Sequence, residues 1–241
     1  MTKQVLLKHL EDAAFIEEPS LMRFRLTYEG ELKATQKDPL DGQPDRMAEH
    51  KHAIRKVFHR QLRHFWQTNK FLKTHKVQKH SGVVPLLPGQ ELYWGAEDGN
   101  YIPMVQAIAA NYQEFGYSFV PLVREEISLL CSLDILFLRR DTSRSVLHAG
   151  DLDNRIKTLI DTLRRPRNGR ELRNNETPSA DEVPFFCLLE DDKLVTQLSV
   201  ETDTLLDPPT GNAEADMRQV HIVITVDLKP YDVNMFNLSF A

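Results

Sequence analysis

Residues 126–139, EISLLCSLDILFLR, constrain the chain more than any other stretch. They are mostly apolar, with apolar residues on both faces of an extended segment there, so both faces need cover, and that is the condition of a central strand in a sheet. Shorter strand candidates surround it. Met22, Phe24, Leu26 and Tyr28 alternate with charged or polar residues, and 117–123, FFCLL at 185–189, 193–202 and 218–228 carry similar β-rich runs. Between them lie helical patterns at 3–14, about 44–73, 101–115 and within the segment 151–165, DLDNRIKTLIDTLRR, the last with Ile156, Leu159, Ile160 and Leu163 on one face. Strands mixed with helices predict an α/β (α+β) fold: one mixed β-sheet with helices packed on it.

With 241 residues and 41% hydrophobic content, the chain can bury one generous core without metal or disulfide support. A single elaborated domain over 1–241 is expected. No apolar run approaches the roughly 20 residues of a membrane span, and the acidic first residues do not resemble a secretory signal, so a cytoplasmic protein with no membrane partner is expected. Cys131 and Cys187 sit in apolar strand runs, share no metal-ligand spacing, and read as reduced packing residues.

The formal charge is −5, but sign is segregated along the chain. Segment 51–80 contains nine Lys/Arg and five His and no acid. Ile54, Val57, Phe58, Leu62, Phe65 and Trp66 recur there at helical spacing, which predicts an amphipathic helix with a basic outer face including Arg55, Lys56, Arg60 and Arg63. Such a face serves either as an ordinary solvated surface or as a grip on phosphates. A second basic group, Arg164, Arg165, Arg167, Arg170 and Arg173, runs from a helix end near Arg164 into a polar insertion at 165–184 and predicts a mobile arm that orders over a polyanion.

The chemistry-bearing text is Gly150-Asp151-Leu152-Asp153-Asn154-Arg155-Ile156-Lys157, followed downstream by Glu190-Asp191-Asp192. In an extended stretch Asp151 and Asp153 point the same way, and Lys157 and Asp161 follow on the polar face of the next helix. Clustered carboxylates with one lysine suit metal-assisted hydrolysis of a phosphodiester: hard oxygen ligands hold Mg²⁺, and the lysine neutralises phosphate oxygens. Helix capping alone would also select Asp and Asn at such a position.

The pattern D-L-D-N-x-x-K, a further Asp on the same helix, then an apolar strand entered through D-D, resembles the RusA family of Holliday-junction resolvases. The resemblance implies a small homodimeric endonuclease dependent on Mg²⁺, with Mn²⁺ as a substitute, that nicks branched DNA. By motif, Asp151, Asp153 and Asp192 would be the metal-binding and catalytic acids, with Asp191 an alternative ligand, and Lys157 the catalytic lysine. Arg55, Lys56, Arg60, Arg63 and the five arginines at 164–173 would bind DNA. Against compact members of the family, segments 1–20, 75–120 and 165–184 are extra, and the pI near 6.0 departs from their basic character. The rival expectation is a non-catalytic nucleic-acid-binding or interaction module that retains the fold.

Overall fold

The computed structural model describes residues 22–34, 45–78, 101–140, 149–172, 177–208 and 219–233, with Asn212, Asp216, Asn237 and Phe240; the side chains of Tyr101 and of residues 149–151 are not among them. The expected helix at 3–14, the loop at 81–99 and Arg173 lie outside the described residues.

The long apolar run is the strand β6, Leu129–Arg139, at the middle of a four-stranded sheet. Its antiparallel neighbour is β9, Gln219–Pro230, which in turn pairs antiparallel with β1, Arg23–Glu31. On its other side it pairs parallel with β8, Val195–Thr204, giving the order β1-β9-β6-β8. The mixed sheet is therefore present, and the class is mixed α and β. Glu126, Ile127 and Ser128, expected as the start of β6, instead belong to the 3-10 turn Glu125–Ile127 and its closing residue, Ser128 at φ 52.

A second sheet has the order β4-β5-β7, from Gln113–Glu114, Tyr117–Val123 and Phe185–Leu189. The short strands β2, Lys76–Gln78, and β3, Tyr101–Pro103, pair separately. The helix expected over 101–115 is shortened to Met104–Asn111, because Tyr101–Pro103 is spent on pairing with β2 and Pro103 then sits at the helix entry, where its missing N–H costs nothing.

The basic segment forms α1, Ala48–Thr68, and α2, Lys70–Thr74. The single helix expected there breaks at Asn69, whose backbone is extended and whose side chain accepts from the Leu72 N–H at 3.1 Å to cap α2. Met104–Asn111 is α3, and α4 spans Ala149–Leu163. Ile54, Phe58, Leu62 and Trp66, four residues apart along α1, are buried in one core with Leu133, Ile135 and Phe137 of β6, Ile156, Leu159 and Leu163 of α4, and Leu188 and Leu189 of β7. The two cysteines are buried, unpaired thiols, and burial pushes both up to about 12, which keeps them protonated.

Candidate active site

Helix α4 begins at Ala149, before the acids rather than after them. Asp151 and Asp153 therefore lie inside its first two turns, where residues two apart diverge by about 200° around the axis. The extended presentation expected for this pair is corrected: negative charge here meets the positive end of the helix dipole, a sufficient local reason for acids at these positions. Asp153 and Lys157 fall one turn apart on α4 and both are exposed.

Asp191 and Asp192 follow β7. Asp191 caps a 3-10 turn over Asp192–Leu194, accepting from the Lys193 N–H at 3.0 Å. Partial burial opposes its ionisation, but that N–H, the neighbouring Asp192 and the Arg167 guanidinium together hold Asp191 below the ordinary carboxylate range. Asp192 accepts from Arg167 at 2.5 Å and lies 4.0 Å from the Nε of Arg164. Arg164 in turn donates to Asp161 at 2.9 Å, so Asp192 is anchored beside the C-terminal half of α4. Asp161 is eight residues beyond Asp153, about 12 Å along the axis. Ligands around one Mg²⁺ sit near 2.0–2.1 Å from it, and Asp192 is held toward the far end of that helix by Arg167 and Arg164. Among the described residues no group of three or more His, Cys, Asp or Glu side chains is arranged to hold a metal.

Asp161, expected along the polar face near the acids, is buried and belongs to another construction. Lys51 of α1 donates to it at 2.8 Å and to Asp45 at 3.2 Å, while Arg55 donates to the Asp161 carbonyl at 3.0 Å and to Glu171 at 2.9 Å. Arg164 completes the set by bonding Glu171 at 3.0 Å. Burial works against the charge on Arg164, but Glu171 and Asp161 raise it above its ordinary value; for Arg55 burial wins and lowers it.

Two of the expected DNA contacts are corrected by this network. Arg55 is only 2% exposed and Arg164 3%, each facing acids inside the protein instead of solvent. Lys56 is partly exposed and paired with Glu182 at 2.9 Å. Arg165 is paired with Glu114 and lies over the Tyr112 ring, with its guanidinium carbon 5.4 Å from the centroid. The expectation of a mobile arm is overturned for 164–172: Leu172 is buried in a cluster with Tyr117, Phe119 and Phe185, and the 3-10 turn Gly169–Glu171 delivers Glu171 to Arg55 and Arg164.

What remains basic and outward lies further along. Arg60, His64, Lys70, Lys73 and Lys76 are exposed, Arg63 is partly so and donates to the Asp181 carbonyl at 3.0 Å, and Arg170 is exposed on the insertion. Lys70, Lys73 and Lys76 were visible in the sequence only as part of the acid-free segment. Nothing in spacing alone separates them from the buried Lys51 and Arg55.

Among known proteins the chain matches no family model, no curated protein and no solved structure.

Proposed function

We propose that the chain is a metal-dependent endonuclease acting on DNA, with branched DNA as substrate. The observation that carries this reading is the exposed pair Asp153 and Lys157, one turn apart near the start of α4, within the D-L-D-N-R-I-K text. A carboxylate beside an ammonium on an open helix face suits a phosphodiester group that needs a metal ligand and a counter-charge together. Asp151 shares that end of the helix. The exposed bases from Arg60 to Lys76 supply a surface for the phosphate backbone, which positions DNA without reading its bases. The implied ion is Mg²⁺ or Mn²⁺, and its donor set is incomplete with Asp192 held at Arg167, so activity requires that ion pair to open.

The same ion pair favours a second reading, a nucleic-acid-binding module without catalysis, in which Asp192 is a permanent structural partner of Arg167. A nicking assay on four-way junctions with Mg²⁺ or Mn²⁺ decides between them. Cutting by the wild type and not by Asp153→Asn supports the nuclease. Junction binding with no cutting leaves the module, and neither binding nor cutting overturns both.

A further inference from the structure

The turn between β4 and β5 carries an unfavourable residue at its tip. Glu114 pairs with Tyr117, so the loop is only Phe115 and Gly116, at φ 54 and φ 82. Positive φ at both central residues is the pattern of a type I′ hairpin, which favours Asn-Gly or Asp-Gly. A bulky ring at the first position is strained there, and full burial does not offset the strain, because Phe115 is 43% exposed.

What the ring does touch is firm. A Cβ added at Gly169 would stand 3.5 Å from Cδ1 of Phe115, so the ring rests on the backbone of the 3-10 turn Gly169–Glu171. That turn is held from the interior, since Glu171 is paired with Arg55 and Arg164 and the next residue, Leu172, is buried. Asn168 closes its start by accepting the Arg170 N–H at 3.0 Å. Phe115 is therefore a pre-positioned flat apolar surface.

The hairpin also lines a cavity of about 340 Å³, with Gln113, Glu114 and Ser118 beside the ring. An amide, a carboxylate and a hydroxyl supply donors and acceptors there. Glu114 is paired with Arg165, and Arg167 with Asp191 and Asp192, whereas Arg170 is exposed and has no ion-pair partner among the described residues. A flat apolar face, hydrogen-bonding groups beside it and an open guanidinium next to Gly169 correspond to the three parts of a nucleotide in a strand: base face, base edge and phosphate.

We infer that Phe115 is a stacking platform for one unpaired base of a bound DNA strand, with Gln113 and Ser118 at the base edge and Arg170 on an adjoining phosphate. Every base has a π face, so such a platform is tolerant of sequence. A fully paired duplex keeps its bases inside the stack and presents none, so the site separates distorted or branched DNA from plain duplex. The exposed bases from Arg60 to Lys76 grip both alike. The inference rests on the DNA-binding part of the proposed function and requires neither metal nor cleavage.

The test is fluorescence anisotropy on the full chain in EDTA, using a duplex with a one-base bulge and the same duplex without it. F115N and F115W stand beside the wild type. Asn suits the positive φ and keeps the hairpin, while Trp keeps an aromatic surface, and circular dichroism verifies both folds. The wild type and F115W should prefer the bulged duplex. F115N should bind it roughly five- to 150-fold more weakly and bind the plain duplex as the wild type does. A photoreactive iodouracil at the bulge should cross-link to Phe115. Equal affinity of the wild type and F115N for the bulged duplex overturns the inference and leaves DNA binding standing. An equal loss on both duplexes also overturns it, because Phe115 would then be structural. If the wild type binds neither duplex, the DNA-binding reading falls together with the inference.

Discussion

The Lys51 ammonium on α1 lies 2.8 Å from the Asp161 carboxylate on α4, a buried ion pair between residues 110 positions apart in the chain. It is one reason why a helix from the basic segment packs on the helix that carries the D-L-D-N motif. Removing one member strands the others without compensation. Lys51→Met should therefore cost about 3–5 kcal/mol, read as a drop in urea midpoint at unchanged slope. A loss below about 1 kcal/mol would mean that solvent reaches the pair.

Acid should undo the same network. Burial by itself would raise Asp161, but Lys51 and Arg164 outweigh it and hold the carboxyl below its ordinary value. A carboxylate depressed in the folded state contributes stability that is present above the unfolded-state pKa and is lost as pH falls through the folded one. Asp161→Asn should unfold more readily at neutral pH and show a shallower decline than the wild type below the ordinary carboxylate range. Parallel pH–stability curves would refute the assignment.

His59 works in the opposite range. Its Nδ1 accepts the Phe186 N–H at 2.8 Å and its Nε2 lies 3.0 Å from the Asp181 carbonyl, so the neutral ring with its proton on Nε2 satisfies both. Burial lowers its pKa despite the opposing Asp181 carbonyl. The unfolded chain then takes up a proton near 6.5 while the folded chain does not, and stability falls as pH drops below that value. Burial lowers His50 and His75 too, so the informative quantity is a difference: His59→Leu should lose about 1–3 kcal/mol at pH 7.5 for the orphaned Phe186 N–H and have a flatter melting curve between pH 7.5 and 5.5. An unchanged pH slope would show that His59 does not titrate with folding.

The basic face should divide where the structure divides it. Replacing Arg60, Lys70, Lys73 and Lys76 with Gln should weaken binding to all duplex sequences and flatten the log-log salt dependence by about 0.9 for each phosphate that is no longer neutralised. Lys56→Gln, whose ammonium already faces Glu182, should leave the slope unchanged. If Lys56 altered it as much as Lys70, the internal pairing would not hold in solution.

The sheet was largely legible in the sequence because apolar runs and alternation are local properties: β5 and β7 lie where those signals placed them, and β6 does so apart from the first three residues expected of it. The basic segment was legible as a helix and misleading as a surface. Arg55 and Arg60 look alike by spacing and composition, and only the arrival of Glu171, 116 residues away, makes one internal and the other external. Arg165 read as part of a polar arm for the same reason, since its acid, Glu114, stands on another element, whereas the acids of Arg164 are Asp161 and Glu171, three and seven residues away. The D-L-D-N motif was visible at once, but whether a helix starts before or after the acids depends on a boundary that capping residues leave ambiguous by several positions.

That boundary bears directly on how the candidate site would work. With Asp153 and Lys157 near the start of α4 and Asp192 anchored at Arg167, the two ends of the motif give separable results. Asp153→Asn should abolish cleavage of a four-way junction while leaving junction binding within a few-fold, because the amide keeps the shape but is a poor ligand for a hard cation. Lys157→Ala should lower turnover more than affinity. Asp192 discriminates further. Its ion pair is partly exposed, with side chains 50% and 36% accessible, so breaking it costs no more than about 1 kcal/mol and does not threaten the fold. If Asp192 leaves Arg167 to complete the donor set, Asp192→Asn abolishes cleavage, and Arg167→Gln, which frees the carboxylate, lowers the Mn²⁺ concentration needed for half-maximal cutting. If Asp192 is only a structural partner, both variants cut at the wild-type rate with the wild-type metal dependence, and the assignment of Asp192 to the catalytic set is wrong.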